Sequence, residues 1–335
     1  MRLSIIIPAY KVADYIEKCI RSLMHQDIPM SDFEVIVTND GSPDNCREIV
    51  EALQKEFSNL ILINQENQGV SMARNNAINI AQGTYILPID PDDYVLPNTF
   101  GKILSKAERL HIDALYLGFE IFNAENKSIW KSDYKPQGET IYNGIDGYFA
   151  SRGNGVKDPD RSWGILFKKQ LLDEFEITYP KDVPYLEDGL FLAKVFVVAQ
   201  SVAFDQEIFY QRTTRKGSAT NSTLFYSEKA IQGFIHAIED IKLFGERFEF
   251  QRNQKLLINH VVAKFTILPL TSIIGQKNIG NYFKFIKRLK EKKCNKINVE
   301  GLRLDYPKMA SIYNKSALLF YVYYPIVTKL KNIAK

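Results

Sequence analysis

At 335 residues, with 45% hydrophobic and 24% charged side chains, the chain has an ordinary globular composition. That excludes intrinsic disorder and leaves room for one large domain, or about 200 residues plus a smaller one. A formal net charge of +4 conceals a split, because residues 226–335 hold 20 Lys/Arg against 8 Asp/Glu and residues 1–225 hold the other 23 against 31. An acidic part therefore precedes a strongly basic one, a pattern that marks a boundary and points to an anionic partner.

The N-terminal apolar run stops at Pro8, too short for a signal peptide. No run of about 18 apolar residues follows, so no ordinary transmembrane helix is expected. Cys19, Cys46 and Cys294 are widely spaced and form no CxxC pair. They exclude a disulfide framework or zinc site and fit a reducing compartment.

Leu3–Ile7 is a β-branched run that reads as a buried strand closed by Pro8. In residues 12–26, Val12, Ile16, Cys19, Ile20 and Leu23 recur at helical spacing. A strand over Phe33–Thr38, a helix over 44–57, a strand over Leu60–Ile63, a helix over Val70–Ala81 and a strand over 84–89 follow. Alternation at about 25 residues predicts a parallel sheet with helices on both faces. Ligands of such sheets bind outside the C-terminal strand ends. The turns Pro8-Ala9-Tyr10, Asn39-Asp40-Gly41-Ser42 and Asp90-Pro91-Asp92 all fall on that rim.

The stretch Thr84–Val95 organises the whole pattern, since an apolar strand there meets Asp90, Asp92 and Asp93. Pro91 keeps Asp90 extended. Hard carboxylate oxygens at a strand end suit a divalent cation, Mg²⁺ or Mn²⁺, with positions left for phosphate oxygens. The same residues also serve as turn formers and helix caps.

Beyond residue 98 a helix (98–110) and a strand (Ala114–Phe119) precede polar, turn-rich sequence to about residue 160. Trp163–Phe167 reads as a strand and 168–175 as a brief helix. Tyr185-Leu186-Glu187-Asp188 then opens an apolar helix to about Ala199, where the acidic pair also suits the helix dipole. After Ser201–Phe204 and a strand at Ile208–Gln211, the loop Arg212–Ser218 offers Arg212, Arg215 and Ser218 either to an anion or to solvent. Helices are expected over 228–245, 250–267 and 278–293. The last is basic and amphipathic, which suits an anionic lipid surface or packing on the catalytic domain. The aromatic tail Tyr313–Tyr324, flanked by Lys315, Lys329, Lys331 and Lys335, tilts the balance toward lipid.

Ser4-Ile-Ile-Ile-Pro8-Ala-Tyr10, Asn39-Asp40-Gly41-Ser42, Asn67-Gln-Gly69-Val-Ser-Met-Ala-Arg74-Asn75 and Asp90-Pro-Asp92-Asp93, in this order and spacing, resemble the family 2 glycosyltransferases. These enzymes transfer a sugar from a nucleotide donor with inversion, and the resemblance spans about residues 1–220. Trp163 before Leu166-Phe167, Glu187-Asp188, Tyr210-Gln211-Arg212 and Gly217-Ser218 are similar to the bacterial branch that builds surface polysaccharide. The resemblance implies an α/β, Rossmann-like glycosyltransferase A-type fold with a mainly parallel sheet over 1–225. Its nucleotide half would cover about 1–97 and its acceptor half about 98–225, followed by a smaller α-helical region over 226–335.

It further implies that Pro8, Ala9, Tyr10 and Asp40 hold the nucleobase, and that Asn67, Gly69 and Arg74 lie near ribose and diphosphate. Asp92 is implied as metal ligand, with Asp90 toward the ribose or a metal-bound water, Pro91 between them, and Asp93 as a further ligand or a helix cap. Asp188, beside Glu187, is implied as the base. Trp163 stacks on the acceptor sugar or fills the core. The resemblance also implies Mn²⁺ or Mg²⁺ as cofactor, a UDP sugar as donor and a glycan or lipid-linked glycan as acceptor. The basic charge of the C-terminal helices leads us to expect that they contact the cytoplasmic face of the membrane, form a homo-oligomer, or do both.

The chemistry requires these residue types. Expelling a nucleoside diphosphate builds charge on its oxygens, which a cation and an Arg fork stabilise. The attacking hydroxyl must lose its proton to a carboxylate within reach. A dehydrogenase would need GxGxxG after the first strand, and a sugar-nucleotide pyrophosphorylase a glycine-rich signature with Arg there; the chain has Pro8-Ala9-Tyr10. No nucleic-acid motif accompanies the basic region. The remaining alternative is a catalytically weak, transferase-like binding or scaffolding subunit.

Overall fold

A computed structural model describes residues 1–134, 139–153, 159–214 and 227–333. The chain forms two compact units, Met1–Lys181 with Val198–Ala219, and Asp182–Val197 with Thr220–Lys335.

The first unit begins with β1 (Leu3–Ala9), α1 (Ala13–Met24), β2 (Phe33–Asp40), α2 (Cys46–Leu53), β3 (Leu60–Gln65), α3 (Val70–Ile80) and β4 (Tyr85–Pro88). Every residue of β1, β2 and β4 is buried, as parallel strands with helices on both faces require. The strands pair in parallel, with Ile5 opposite both Val35 and Leu87. This half matches the alternation read from the sequence.

The chain continues through β5 (Tyr94–Val95), α4 (Phe100–Arg109), β6 (Ala114–Phe122), β7 (Ser128–Lys131), α5 (Gly144–Gly153), β8 (Ile165–Lys168) and α6 (Lys169–Glu174). After α7 (Glu187–Val198), which counts with the second unit, β9 (Val202–Thr213) returns to the first. The sheet runs β3-β2-β1-β4-β8-β6-β9-β5, with β7 on β6. Antiparallel β8 bridges β4 and β6, and β6 and β9 pair in parallel. Together these make a glycosyltransferase A-type fold, a mostly parallel sheet with helices, followed by a helical region.

Three local features depart from the sequence pattern. Strand β7 and helix α5 occupy the stretch read as turn-rich, because SIWK is a short exposed edge and GIDGYFASRG carries three glycines that weaken its helical signal. Strand β9 is continuous where two pieces were expected. Its polar Asp205-Gln206-Glu207 coincides with an irregular register against β6, where a Cβ on Gly118 would come 2.3 Å from the Glu207 carbonyl oxygen.

The second unit contains α7, α8 (Glu228–Arg247), α9 (Arg252–Gly275), α10 (Ile279–Glu291), α11 (Tyr306–Lys315) and α12 (Ala317–Ile333). Helix α9 sits at its centre, packed by α8, α10, α11 and α12. Among the described residues it is the one helix long and apolar enough to cross a membrane, and 72% of its apolar window is buried within the protein. The last two helices lay hidden behind prolines. Pro307 occupies the first turn of α11, where the missing N–H costs nothing, and Pro325 lies inside α12.

Candidate active site

Two rim turns are laced together before any ligand is considered. Beyond β1, Tyr10 is exposed while Pro8 and Ala9 are buried within the strand. Lys11, in the left-handed region at φ 55°, donates its backbone N–H to Ser42 Oγ at 2.7 Å. The N–H of Ala13 reaches Asp44 Oδ2 at 2.9 Å, and Ser42 Oγ donates to Asp44 Oδ1 at 2.5 Å. Burial alone would push the Asp44 carboxyl up, but hydrogen bonds from Cys46, Ser42 and the Ala13 N–H outweigh it and hold the group down at about 2.

Asp40 ends β2 as a staple. Its Oδ1 accepts from Gln65 Nε2 and the Gln68 N–H, both at 2.7 Å, and its Oδ2 accepts from the Gly69 N–H at 2.9 Å. Asn67 Nδ2 donates to the Asp40 carbonyl at 3.0 Å. The buried carboxylate thus fixes the loop that starts α3, and Oδ2 retains a lone pair for a further donor. Gly69 stands at φ 90°, ψ 165°, a region nearly confined to glycine. A Cβ on Gly41 would meet the Asn67 nitrogen at 2.9 Å.

The third rim turn carries the acidic cluster. Carboxylate oxygens of Asp90, Asp92 and Asp93 lie within 4.8 Å of one another. Arg74, buried on α3 with its guanidinium 5.1 Å from the Tyr179 ring centre, donates from Nη2 to Asp90 Oδ1 at 2.9 Å. Asp93 points inward and accepts from Tyr210 Oη at 2.6 Å and the Thr213 N–H at 2.7 Å. The Asp90 N–H donates to that same Tyr210 oxygen at 3.1 Å, and Thr213 Oγ1 donates to the Asp92 carbonyl at 2.5 Å. Burial, then the charges of Asp90 and Asp92, push the Asp93 carboxyl well above its ordinary range.

A divalent cation fits this donor set. The oxygens are hard and closely grouped, and the charge of Asp90 and Asp92, which adds to burial in raising Asp93, is a repulsion that a cation relieves. Asp92 and Asp90 would hold it, with Asp93 set back on Tyr210 and Thr213.

Tyr210 is in turn backed by Trp163, stacked at 4.6 Å and 27°, with the Arg161 guanidinium 4.6 Å and that of Arg212 5.3 Å from the indole. Trp163 is 4% exposed, so packing, one of its two expected roles, is what the geometry displays. Tyr210 and Thr213 are the site residues that sequence reasoning passed over. The Tyr210-Gln211-Arg212 run was their only signal. Arg215 and Ser218 lie outside the described residues. A groove of about 440 Å³ lined by Lys102, Lys106, Arg109, Glu139 and Asp205 shares no residue with the acidic rim.

Glu187 and Asp188, both half-buried, open α7 in the second unit. Leu186 just before them adopts a left-handed φ of 62°, an uncommon and costly conformation for a branched side chain. Within this unit the segment is tied to its neighbours at four points. Buried Lys194 pairs with Asp240 at 2.6 Å, and Gln254 Nε2 donates to the Val197 carbonyl at 2.7 Å. His236 Nδ1 lies 3.4 Å from the Asp182 carbonyl oxygen, and Gly233 packs so closely on Pro184 that a Cβ would come within 2.5 Å of its ring.

Parallel strands that end in a carboxylate cluster, on an A-type sheet, define the class as a nucleotide-sugar transferase fold. The family model described as Glycosyl transferase family 2 matches residues 4–167. Residues 4–167 therefore carry a family 2 glycosyltransferase domain. The chain is similar to the uncharacterized glycosyltransferase EpsJ of Bacillus subtilis (strain 168), 31% identical over 210 residues covering 62% of this chain and 59% of the relative. A poly(ribitol-phosphate) beta-glucosyltransferase of Bacillus spizizenii is 27% identical over 243 residues, 72% of this chain and 36% of that one. The chain therefore spans from about a third to three fifths of the length of such curated relatives. Among solved structures, S. aureus TarS 1-349 in complex with UDP superposes with a TM-score of 0.70 at 18% identity, covering 100% of this chain and 92% of that one.

Proposed function

We propose that the protein is an inverting, metal-assisted glycosyltransferase that moves a hexosyl or N-acetylhexosaminyl group from a UDP sugar to a hydroxyl of a glycan or lipid-linked acceptor in bacterial surface-polysaccharide synthesis. The observation that carries this reading is the Asp90-Asp92-Asp93 cluster on the strand-end rim, braced by Arg74, Tyr210 and Thr213. A UDP donor is supported by the UDP and UDP-GlcNAc complexes of S. aureus TarS, whose fold this chain shares. A cation is supported by the donor set, and a mannosyltransferase of the same fold, from Pyrobaculum calidifontis, was solved with GDP-Man and Mn²⁺. Surface polysaccharide is supported by the poly(ribitol-phosphate) transferases among the relatives. We place the protein at the cytoplasmic face of the membrane, with its catalytic domain over 1–225 and its basic helical region over 226–335.

Each residue then has a task. When bound, the cation would neutralise charge on the departing diphosphate. Asp92 and Asp90 orient toward it, and Arg74 fixes Asp90 while adding a positive charge to the rim. Asp93 holds the turn in shape. Asp40 shapes the loop 67–69 and offers its remaining lone pair to the base edge of the nucleotide. Asp188 takes the proton of the attacking hydroxyl, with Glu187 beside it.

The test is release of nucleoside diphosphate from a panel of nucleotide sugars with Mn²⁺ or Mg²⁺. Metal-dependent release from one donor, lowered by about 10³ in Asp92→Ala, is the expected result. Asp188→Asn is expected to lower transfer by about 10²–10⁴ while nucleotide still binds. No turnover of any donor, with no nucleotide binding by thermal shift, would replace this reading with that of a binding or scaffolding subunit.

A further inference from the structure

Two helices of the second unit carry basic and apolar residues to opposite ends. In α10 the apolar residues Tyr282, Phe285, Ile286 and Leu289 are buried. Its cations are also engaged. Lys284 and Arg288 pair with Glu228, and Lys292 pairs with Glu239 at 2.9 Å. The helix that the sequence offered to lipid or to packing thus buries its apolar stripe within the protein and pairs several of its cations with acids at the surface.

Helix α12 does the reverse. It is docked through Phe320, fully buried, and Tyr321, whose ring lies 4.9 Å from that of Tyr282. Leu318, Leu319, Val322 and Ile326 are 55%, 50%, 54% and 55% exposed. At about 100° per residue these four fall within an arc of about 100°, one continuous apolar stripe. Exposed Lys329 extends the same stripe by one turn, and exposed Lys315 precedes it. From Tyr306 to the last residue the sequence holds Lys308, Lys315, Lys329, Lys331 and Lys335 and no Asp or Glu.

We propose that this face of α12 docks on an anionic lipid surface, lying in the plane of the headgroups with the four aliphatic side chains in the acyl boundary and the lysines on lipid phosphates. The charge decides the occupant: a stripe bracketed by exposed Lys315 and Lys329, in a stretch that holds no Asp or Glu from Tyr306 onward, is complementary to a negatively charged sheet and repels a second copy of itself. The helix has 17 residues and Pro325 within it, too short and too interrupted to span a bilayer of about 30 Å hydrocarbon thickness, whereas an interfacial helix needs only one apolar face. Tyr323, half-buried beside the stripe, suits the headgroup level. This deepens the membrane placement proposed above and rests on nothing in the catalytic assignment.

The test is co-sedimentation of the full chain with vesicles of phosphatidylglycerol and phosphatidylcholine against vesicles of phosphatidylcholine alone. Binding at least about 10-fold stronger to the anionic vesicles, weakening with salt, is expected. Val322→Glu and, separately, Lys315→Gln with Lys329→Gln should each lower that binding several-fold. All three positions are exposed, so Tm and far-UV circular dichroism should stay as in the wild type. Equal recovery in the supernatant with both vesicles, or unchanged binding by the variants, overturns the proposal. So does a lipid-free dimer by light scattering that Val322→Glu dissociates, which would assign the face to a second copy. Diphosphate release is read in solution without vesicles, so failure of either proposal leaves the other standing.

Discussion

Asp90, Asp92 and Asp93 end a buried parallel strand and are held from the protein side by Tyr210 and Thr213, whereas Glu187 and Asp188 begin a helix held in place by its own apolar length and by Lys194. The first group is set by directional hydrogen bonds between segments 117 residues or more apart. The second is set by packing, since Leu190, Phe191, Leu192, Ala193, Val195 and Phe196 are all fully buried. A hydrogen-bonded rim responds to the loss of single atoms, while a packed helix responds to charge and volume. The proposed donor and base functions should therefore be separable by substitutions that touch neither a metal ligand nor Asp188.

The largest effect is expected at Lys194. Asp240→Ala leaves a buried ammonium without its carboxylate and should cost about 3 kcal/mol of stability, measured by denaturant unfolding. Lys194→Met with Asp240→Leu should recover most of that loss. In both, UDP affinity should stay near that of the wild type while transfer falls in the single variant. Parallel loss of UDP binding would break the comparison. Next comes Tyr210→Phe, which removes the hydroxyl shared by Asp93 and the Asp90 N–H. A loss of about 1–2 kcal/mol is expected, with the Mn²⁺ needed for half-maximal turnover rising several-fold. An unchanged metal requirement would mean that Tyr210 only fills space. Gly69→Ala should cost about 1 kcal/mol, because φ 90° strains any Cβ although space is open around it. Weaker UDP binding, read by calorimetry, is its expected signature.

The sequence displayed the alternating half and its rim turns because β-branched runs and helical periodicity are local signals. What it concealed lies in partnerships across the chain. Asp40 reads as a turn residue poised for the base, but nothing in the sequence showed that Gln68 and Gly69, 28 and 29 residues on, donate to its oxygens. Tyr210 and Thr213 sit in an ordinary strand pattern, and only the pairing of β5 with β9 brings them to Asp93. Helix α7 reads as one more element of the acceptor half because apolar periodicity carries no label for the unit it packs into. The amphipathic pattern of α10 was visible in the sequence, which left lipid and packing both open; its buried residues are Tyr282, Phe285, Ile286 and Leu289, while Phe283 is exposed.

The smallest effect sharpens the comparison from the hydrogen-bonded side, at Asp44. Its carboxyl is held down at about 2 against 3.8 for an ordinary aspartate, so the folded state binds that proton less readily than the unfolded chain. A depressed folded value means that the stabilisation is complete above about pH 4 and is lost as pH falls through about 2. Allowing for solvent screening of a half-buried group, the stake is about 1 kcal/mol. Asp44→Asn keeps an acceptor for the Ala13 N–H but cannot titrate, so stability measured from pH 5 to pH 2 should fall less steeply than in the wild type. Identical slopes would show that the latch between the two rim turns draws nothing from the charge, and that its hydrogen bonds alone hold Lys11–Ala13 to Ser42–Cys46.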